Sequence, residues 1–314
     1  MATKKAEFVK RSLHRMKNML NEMSLKTRRE SQDFLSKFKI YHGMDIIPVH
    51  DLSIPCEWFK INNKDIDNDK VLLYFHGGGY EMGTLLCSRI FAAKLTKAVE
   101  LDLFSVEYRL APENPFPAAL DDALEAYKYL LAKGYDPEKI ILTGESAGGG
   151  LILALGLKLK ELNMPLPNSV VCISPWINLT QNESNTDDSI DPILAVKSLC
   201  RAAAGYAGDL PLNDPYISPA FAEDYEGFPP VLIHVGESEI FRAPLYDYAE
   251  KLKRAGVDIT LEIFSDMWHV WHFYDIPEAE SALKRVSDYI RMKLKLPQIE
   301  HPLKDEVCNY KIIK

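Results

Sequence analysis

The sequence is short of what several function classes require. Its five cysteines, Cys56, Cys87, Cys172, Cys200 and Cys308, lie far apart and form no C-x-x-C pair. Neither a metal-binding cysteine cluster nor a compact disulfide framework follows from such spacing, so reduced, mostly buried thiols are expected. No segment approaches the ~20 apolar residues of a membrane span. Behind Lys4 and Lys5 there is no uninterrupted apolar stretch of the kind that marks a secretion signal. Without stable membrane insertion, the expected location is the cytoplasm. Cations are in deficit: 37 Lys and Arg against 45 Asp and Glu leave a net charge of −8. A nucleic-acid partner is therefore not expected, because displacing phosphate counterions takes clustered positive charge. Internal repeats and low-complexity tracts are missing as well.

What is present is the composition of a packed globular protein, 47% hydrophobic and 26% charged over 314 residues. That length suits one large α/β catalytic domain with a smaller accessory layer. Near the start, Val9, Leu13, Met16, Leu20 and Met23 recur at spacings of three and four, which places them on one face of a helix. Lys10, Arg11, Arg15 and Lys17 mark the other. Such a stripe would suit an anionic membrane surface, but packing on its own protein with the charges solvated is the expectation. Residues 1–45 are read as the N-terminal part of a cap. From residue 46 to 314 short apolar runs alternate with helical patterns. The predicted strands are 56–61, 71–75, 102–107, 139–143, 169–173, 230–235 and 257–264, and the predicted helices 85–99, 117–131, 147–162, 243–255 and 277–293. This alternation implies a mainly parallel central sheet with helices on both faces. The polar, turn-rich interval 178–226, helical around Ile193 to Ala204, breaks the rhythm and reads as a second piece of the cap.

Chemistry concentrates at two glycine-rich turns. In Gly144-Glu145-Ser146-Ala147-Gly148-Gly149 an apolar strand runs through Gly-x-Ser-x-Gly into a helical pattern, the context of a nucleophile elbow that holds Ser146 on a strained turn. Upstream, a buried strand ends in His76-Gly77-Gly78-Gly79-Tyr80. Three successive glycines cost backbone entropy, and unhindered amides aimed at an anion give a reason for them. Gly77, Gly78, Gly79 and Ala147 are thus the candidate oxyanion donors. A phosphate loop is the competing reading, but neither GxGxxG nor GxxxxGK[ST] fits.

Over residues 70–290 the chain resembles the hormone-sensitive-lipase-like family of α/β-hydrolases, which includes many microbial carboxylesterases. The resemblance is carried by HGGGY and GESAGGG, by Glu107-Tyr108-Arg109-Leu110-Ala111-Pro112-Glu113, by Phe116-Pro117-Ala118-Ala119 and Ser174-Pro175-Trp176, by Ser218-Pro219, and by Met267-Trp268-His269-Val270-Trp271-His272. It implies an α/β-hydrolase fold and a serine nucleophile activated by an imidazole. Of the eight histidines, His269 and His272 lie directly after the last predicted strand and His301 comes later. The family's Met-x segment before its histidine favours His269, with His272 as a half-buried packing residue. The acid should follow the strand 230–235, where Glu237, Glu239 and Asp247 are candidates. The family's Asp-Pro-Leu-Arg-Asp is replaced here by Glu239-Ile240-Phe241-Arg242, and aligning the two puts Glu239 on the catalytic aspartate. Glu145 is read as a structural carboxylate, Tyr108-Arg109 and Asp121-Asp122 as framework, His76 as a loop-shaping residue, and Tyr80 and Trp271 as substrate contacts.

The resulting expectation is a serine carboxylesterase acting on short- to medium-chain esters through an acyl-enzyme, with no cofactor and no metal. A lactonase or amidase would use the same machinery. A non-catalytic receptor of this fold is the alternative from another class, and retention of His269 speaks against it. The resemblance also implies a homodimer through the sheet edge near 230–235 and 257–264.

Overall fold

Runs such as Val71–Phe75 and Ser169–Ile173 are apolar at nearly every position, which only a strand covered on both faces can accommodate. The computed structural model describes residues 2–39, 41–62, 69–299 and 309–314 and places these runs at the centre of a nine-stranded sheet. Cys308 and His301 lie outside the described residues. In chain order the strands are β1 (Met44–Val49), β2 (Cys56–Ile61), β3 (Val71–Phe75), β4 (Asp102–Val106), β5 (Ile140–Glu145), β6 (Ser169–Ile173), β7 (Val231–Gly236), β8 (Ile259–Phe264) and β9 (Tyr310–Ile313). Their spatial order is β1-β2-β4-β3-β5-β6-β7-β8-β9. The run from β4 to β8 is parallel, and antiparallel pairs close both ends.

The sheet side chains alternate between two helix layers, as the period of two requires. Val71, Leu73 and Phe75 face the cluster that contains α4 (Ala118–Ala132), α5 (Ala147–Glu161) and α7 (Arg242–Arg254). Leu72 and Tyr74 face the cluster containing α3 (Leu85–Val99) and α8 (Pro277–Lys293). Between β6 and β7 the chain leaves the sheet and forms α6 (Val196–Ala207) before returning. Cys56, Cys87, Cys172 and Cys200 are unpaired thiols. No helix of the described residues is long and apolar enough to cross a membrane.

Two expectations are corrected here. β1 and β9 were not foreseen, and β9 pairs with β8 from Leu261↔Ile313 to Phe264↔Tyr310. The edge expected to carry a homodimer is therefore covered by the chain's own C-terminal strand, while β7 is internal. The N-terminal segment forms two helices, α1 (Lys4–Glu22) and α2 (Leu25–Ser36), and α1 is rotated from the expected stripe. Ala6 and Lys17 are buried, Val9 and Leu13 are half-buried, and Met16 and Leu20 are exposed. Polar anchors fix this rotation. Thr3 binds Glu278, Lys10 donates to Ser238 Oγ at 2.6 Å and to the Asp266 carbonyl, and Lys17 donates to the carbonyls of Asp188 and Asp191 at 2.5 and 3.0 Å. Asn21 reaches the Ile193 carbonyl, and in α2 Arg28 pairs with Glu81 while Arg29 binds Glu81, Ala111 and Glu113. Every partner but Glu278 is in a loop or short connection beyond the C-terminal end of a strand.

Candidate active site

Ser146 follows β5 directly and opens α5, with φ +53° and ψ −120°, an unusual conformation for a residue with a side chain. The turn exists because its neighbours are small. A Cβ on Gly148 would lie 2.0 Å from the Phe75 carbonyl oxygen, and one on Gly144 would lie 2.6 Å from the Gly148 backbone. The Ser146 amide donates to the Ile173 carbonyl at 2.9 Å, tying the elbow to β6.

Two loops converge on this hydroxyl. His269, in the loop after β8, places Nε2 2.9 Å from Ser146 Oγ and Nδ1 3.1 Å from Glu239 Oε2. The network is consistent with Nδ1–H donating to the carboxylate while Nε2 accepts from the serine. Glu239 is buried in the turn after β7, and its Oε1 accepts from the Gly236 amide at 2.6 Å and from Ser174 Oγ at 2.7 Å. Glu237 and Asp247, the other acid candidates, are exposed, and neither reaches the imidazole. His272 is fully buried, more so than expected. Its Nε2 lies 3.1 Å from His234 Nδ1, and burial holds its pKa well below that of a free imidazole.

On the other side of Ser146 the glycine loop is shaped by side chains. Tyr108 donates to the His76 carbonyl at 2.8 Å and stacks on the His76 ring, whose Nδ1 is 2.7 Å from the Gly77 carbonyl. Burial lowers the His76 pKa to about 4, so the ring is neutral at ordinary pH. Glu145 Oε1 accepts from Tyr74 Oη at 3.0 Å and from the Gly77 amide at 2.6 Å. Gly77 is accordingly not an available oxyanion donor. Among the described residues the amides of Gly78, Gly79 and Ala147 donate to no acceptor, and these three remain for an anion. Desolvation raises the Glu145 pKa to about 8, and its Oε2 has no partner among the described residues.

A family model described as the alpha/beta hydrolase fold matches residues 72–273. The chain belongs to the hormone-sensitive-lipase-like α/β-hydrolases. An acetyl-hydrolase of Streptomyces hygroscopicus is 36% identical over 75% of this chain and 79% of its own length. An esterase of Acinetobacter venetianus is 31% identical over 70% of this chain and 74% of its own. The solved structure of an esterase from the bacterial hormone-sensitive lipase family superposes with a TM-score of 0.86 at 31% identity, covering 94% of this chain and 100% of that one.

As an α/β-hydrolase the molecule shows framework residues where they were expected. Arg109 forms a fork on Asp122, with the closest contact at 2.7 Å, while Asp121 is exposed. The two expected substrate contacts are not supported. Tyr80 is buried and stacks on Tyr206 of α6 with centroids 3.7 Å apart, and Trp271 is buried against Phe264. Aromatic rings this large do more for stability inside the core than at a rim. Two residues near the triad went unassigned in the sequence. Ser174, at φ +47°, donates to Glu239 and accepts from the Val270 amide at 3.2 Å, joining the acid to the loop of His269. Asp191 Oδ1 accepts from the Ile193 and Leu194 amides at 2.9 and 3.0 Å, and burial raises its pKa while the nearby His269 lowers it. A buried serine leading into Ser174-Pro175-Trp176 was visible as a motif; Asp191 was one acid among several in a polar stretch.

Proposed function

We propose that the protein is a serine carboxylesterase in which Ser146 is the nucleophile, His269 the general base and acid, and Glu239 the group that orients and charge-stabilises His269. The observation that carries this reading is the unbroken hydrogen-bond chain from Ser146 Oγ through His269 to Glu239, beside three amides that donate to no acceptor among the described residues. Ser146 Oγ attacks the ester carbonyl and its proton passes to His269 Nε2. The carbonyl oxygen takes the negative charge and is held by the amides of Gly78, Gly79 and Ala147, each worth roughly 3 kcal/mol in such a site. Collapse expels the alkoxide, which takes the proton from His269, and leaves an ester on Ser146. Water then repeats the sequence and releases the acid.

The names of the relatives, an acetyl-hydrolase and an esterase, support an ester substrate with a small acyl group. The covering elements support it too. Gly79 lies where a Cβ would sit 3.6 Å from Ala202 Cβ, so α6 packs on the oxyanion loop, and Val9, Leu13 and Ile193 join one apolar cluster. In this reading α1, α2 and the 178–226 excursion form a cap that limits the pocket to acyl chains of about two to six carbons, since each further methylene would forgo roughly 0.8 kcal/mol of burial. A cytoplasmic location fits the four unpaired thiols among the described residues. A series of p-nitrophenyl esters of increasing acyl length, assayed before and after a serine-directed phosphonate, tests the proposal. The expected result is fastest turnover on the short esters and complete loss after the phosphonate, with the label on Ser146. Turnover unaffected by the phosphonate would overturn it.

A further inference from the structure

Residues 2–39 carry eleven Lys and Arg against four Asp and Glu, on a chain whose totals are 37 and 45. The anchoring contacts described above occupy Lys10, Lys17, Arg28 and Arg29, and Lys26 pairs with Glu30. Lys4, Lys5, Arg11, Arg15, Lys37 and Lys39 are left exposed and form no ion pair among the described residues. The charges that dock the cap and the charges that face outward are therefore different residues.

Large apolar side chains stand among these outward cations. Phe8, Met16, Met19, Leu20, Phe34, Leu35 and Phe38 are exposed, seven of the fifteen exposed large hydrophobics among the described residues, within a tenth of the chain. Phe8, Arg11, Arg15 and Met19 follow one another at spacings of three and four and share the outward face of α1. At the end of α2, Phe34 and Phe38 meet edge to face at 5.2 Å, with Lys37 and Lys39 interleaved, and Phe38 is 71% exposed. Both helices bury their opposite faces on loops beyond the C-terminal ends of the strands, so both outward faces point away from the same end of the sheet.

Large apolar side chains clustered on an exposed face are normally covered in use. A second copy in a two-fold contact would bring Arg11, Arg15, Lys37 and Lys39 against the same positive patch, an arrangement that like-charge repulsion opposes. A surface that is apolar beneath and anionic on top satisfies both features. We propose that the outward side of α1 and α2 docks reversibly on an anionic lipid surface. Phe8, Met19, Phe34, Leu35 and Phe38 enter the headgroup boundary, and Arg11, Arg15, Lys37 and Lys39 meet the lipid phosphates. Docking of this kind needs no spanning helix and does not depend on the ester chemistry.

The test is co-sedimentation of the full chain with phosphatidylcholine vesicles with and without phosphatidylglycerol, at low and high salt, with light scattering of the free protein. The expected outcome is binding only to the anionic vesicles, weakened by salt and reduced at least about tenfold in Arg11→Glu/Arg15→Glu and in Phe34→Ser/Phe38→Ser. Both variants should keep full turnover of a water-soluble ester, which shows that they fold. Absence of binding, or equal binding to neutral and anionic vesicles, overturns the proposal. So does a concentration-dependent dimer that Phe34→Ser/Phe38→Ser dissolves, which would make the face a contact between copies.

Discussion

The platform around Ser146 and the two N-terminal helices, the proposed cap, are built on opposite terms. In β3, β5, β6 and β7 every residue is buried, and the elbow is shaped by contacts that a single methyl group would break. In α1 only Ala6 and Lys17 of nineteen residues are buried, and in α2 only Ser36 of twelve. Close packing leaves a platform side chain one arrangement, whereas the cap is positioned by some ten directional polar contacts with water on its far side. Chemistry that needs sub-ångström placement sits on the first kind of structure. In the proposed reading, access, which needs to change, sits on the second.

If that division is right, the largest losses come from platform groups that touch the reacting atoms, and they leave the fold intact. Ser146→Ala and His269→Ala should each lower kcat/KM on a short ester at least about 10⁴-fold with little change in Tm. His272→Ala should do the reverse. It leaves His234 Nδ1 without its partner and opens a cavity, which costs about 2–3 kcal/mol of stability, while turnover stays within about tenfold. Parallel urea melts and ester kinetics on the three variants would show it, and loss of activity in His272→Ala at unchanged stability would move the base.

The acid is the next step down. Glu239→Gln should lower kcat by about 10²- to 10⁴-fold, because the imidazole loses the carboxylate that holds its tautomer and balances its charge. Glu237→Gln should leave kcat unchanged, since that carboxylate is exposed and among the described residues accepts only from the Asp266 amide, at 3.4 Å. The opposite ranking in steady-state kinetics would reassign the acid.

This pair also shows what could be read from the chain alone. Strand and helix positions were legible because burial on both faces or on one stripe writes itself into apolar periodicity, and all seven predicted strands lie within two residues of their places. The convergence of Ser146, His269 and Glu239 was legible because each follows a strand, the first two inside motifs of the resembled family and Glu239 by alignment across its altered acid motif. The fate of the Gly77 amide was not, because it depends on Glu145 across the loop, and no spacing encodes which amide a carboxylate takes. The rotation of α1 was misread for a related reason. Apolar periodicity assigns Met16 and Leu20 inward, but the buried ammonium of Lys17 and the half-buried amide of Asn21 need acceptors, and those acceptors decide the face.

For the cap the expected effects are smaller and separable from folding of the platform. Lys17→Met removes the donor to the Asp188 and Asp191 carbonyls and should cost about 1–3 kcal/mol of stability. Through Asp191, whose Oδ2 lies 3.4 Å from the Ile240 amide, it should also lower kcat/KM several-fold. Deleting residues 1–30 should cut activity further and promote aggregation from the uncovered cluster around Met267 and Trp268. A truncated protein that remains soluble at the full rate would show that the two regions do not cooperate at all.

The finest test of a fully packed platform is a proton. Glu145 is buried with a pKa raised from 4.5 to about 8, and desolvation is the main cause, opposed by the Gly77 amide and Tyr74 hydroxyl. Because the folded state keeps a proton that the unfolded state has released, the favourable contribution is complete below pH 4.5. It falls as pH rises from there toward 8 and is constant above. In Glu145→Gln an amide oxygen can still accept from Gly77 and Tyr74, and nothing titrates. The two proteins should therefore have similar Tm at pH 4.5, and the wild type should fall progressively behind the glutamine variant between pH 5 and 8, by up to a few kcal/mol. Calorimetric melts of both across that interval measure the difference directly. Parallel curves would mean that water reaches Glu145 and that the platform is less tightly closed beneath the oxyanion loop than its burial indicates.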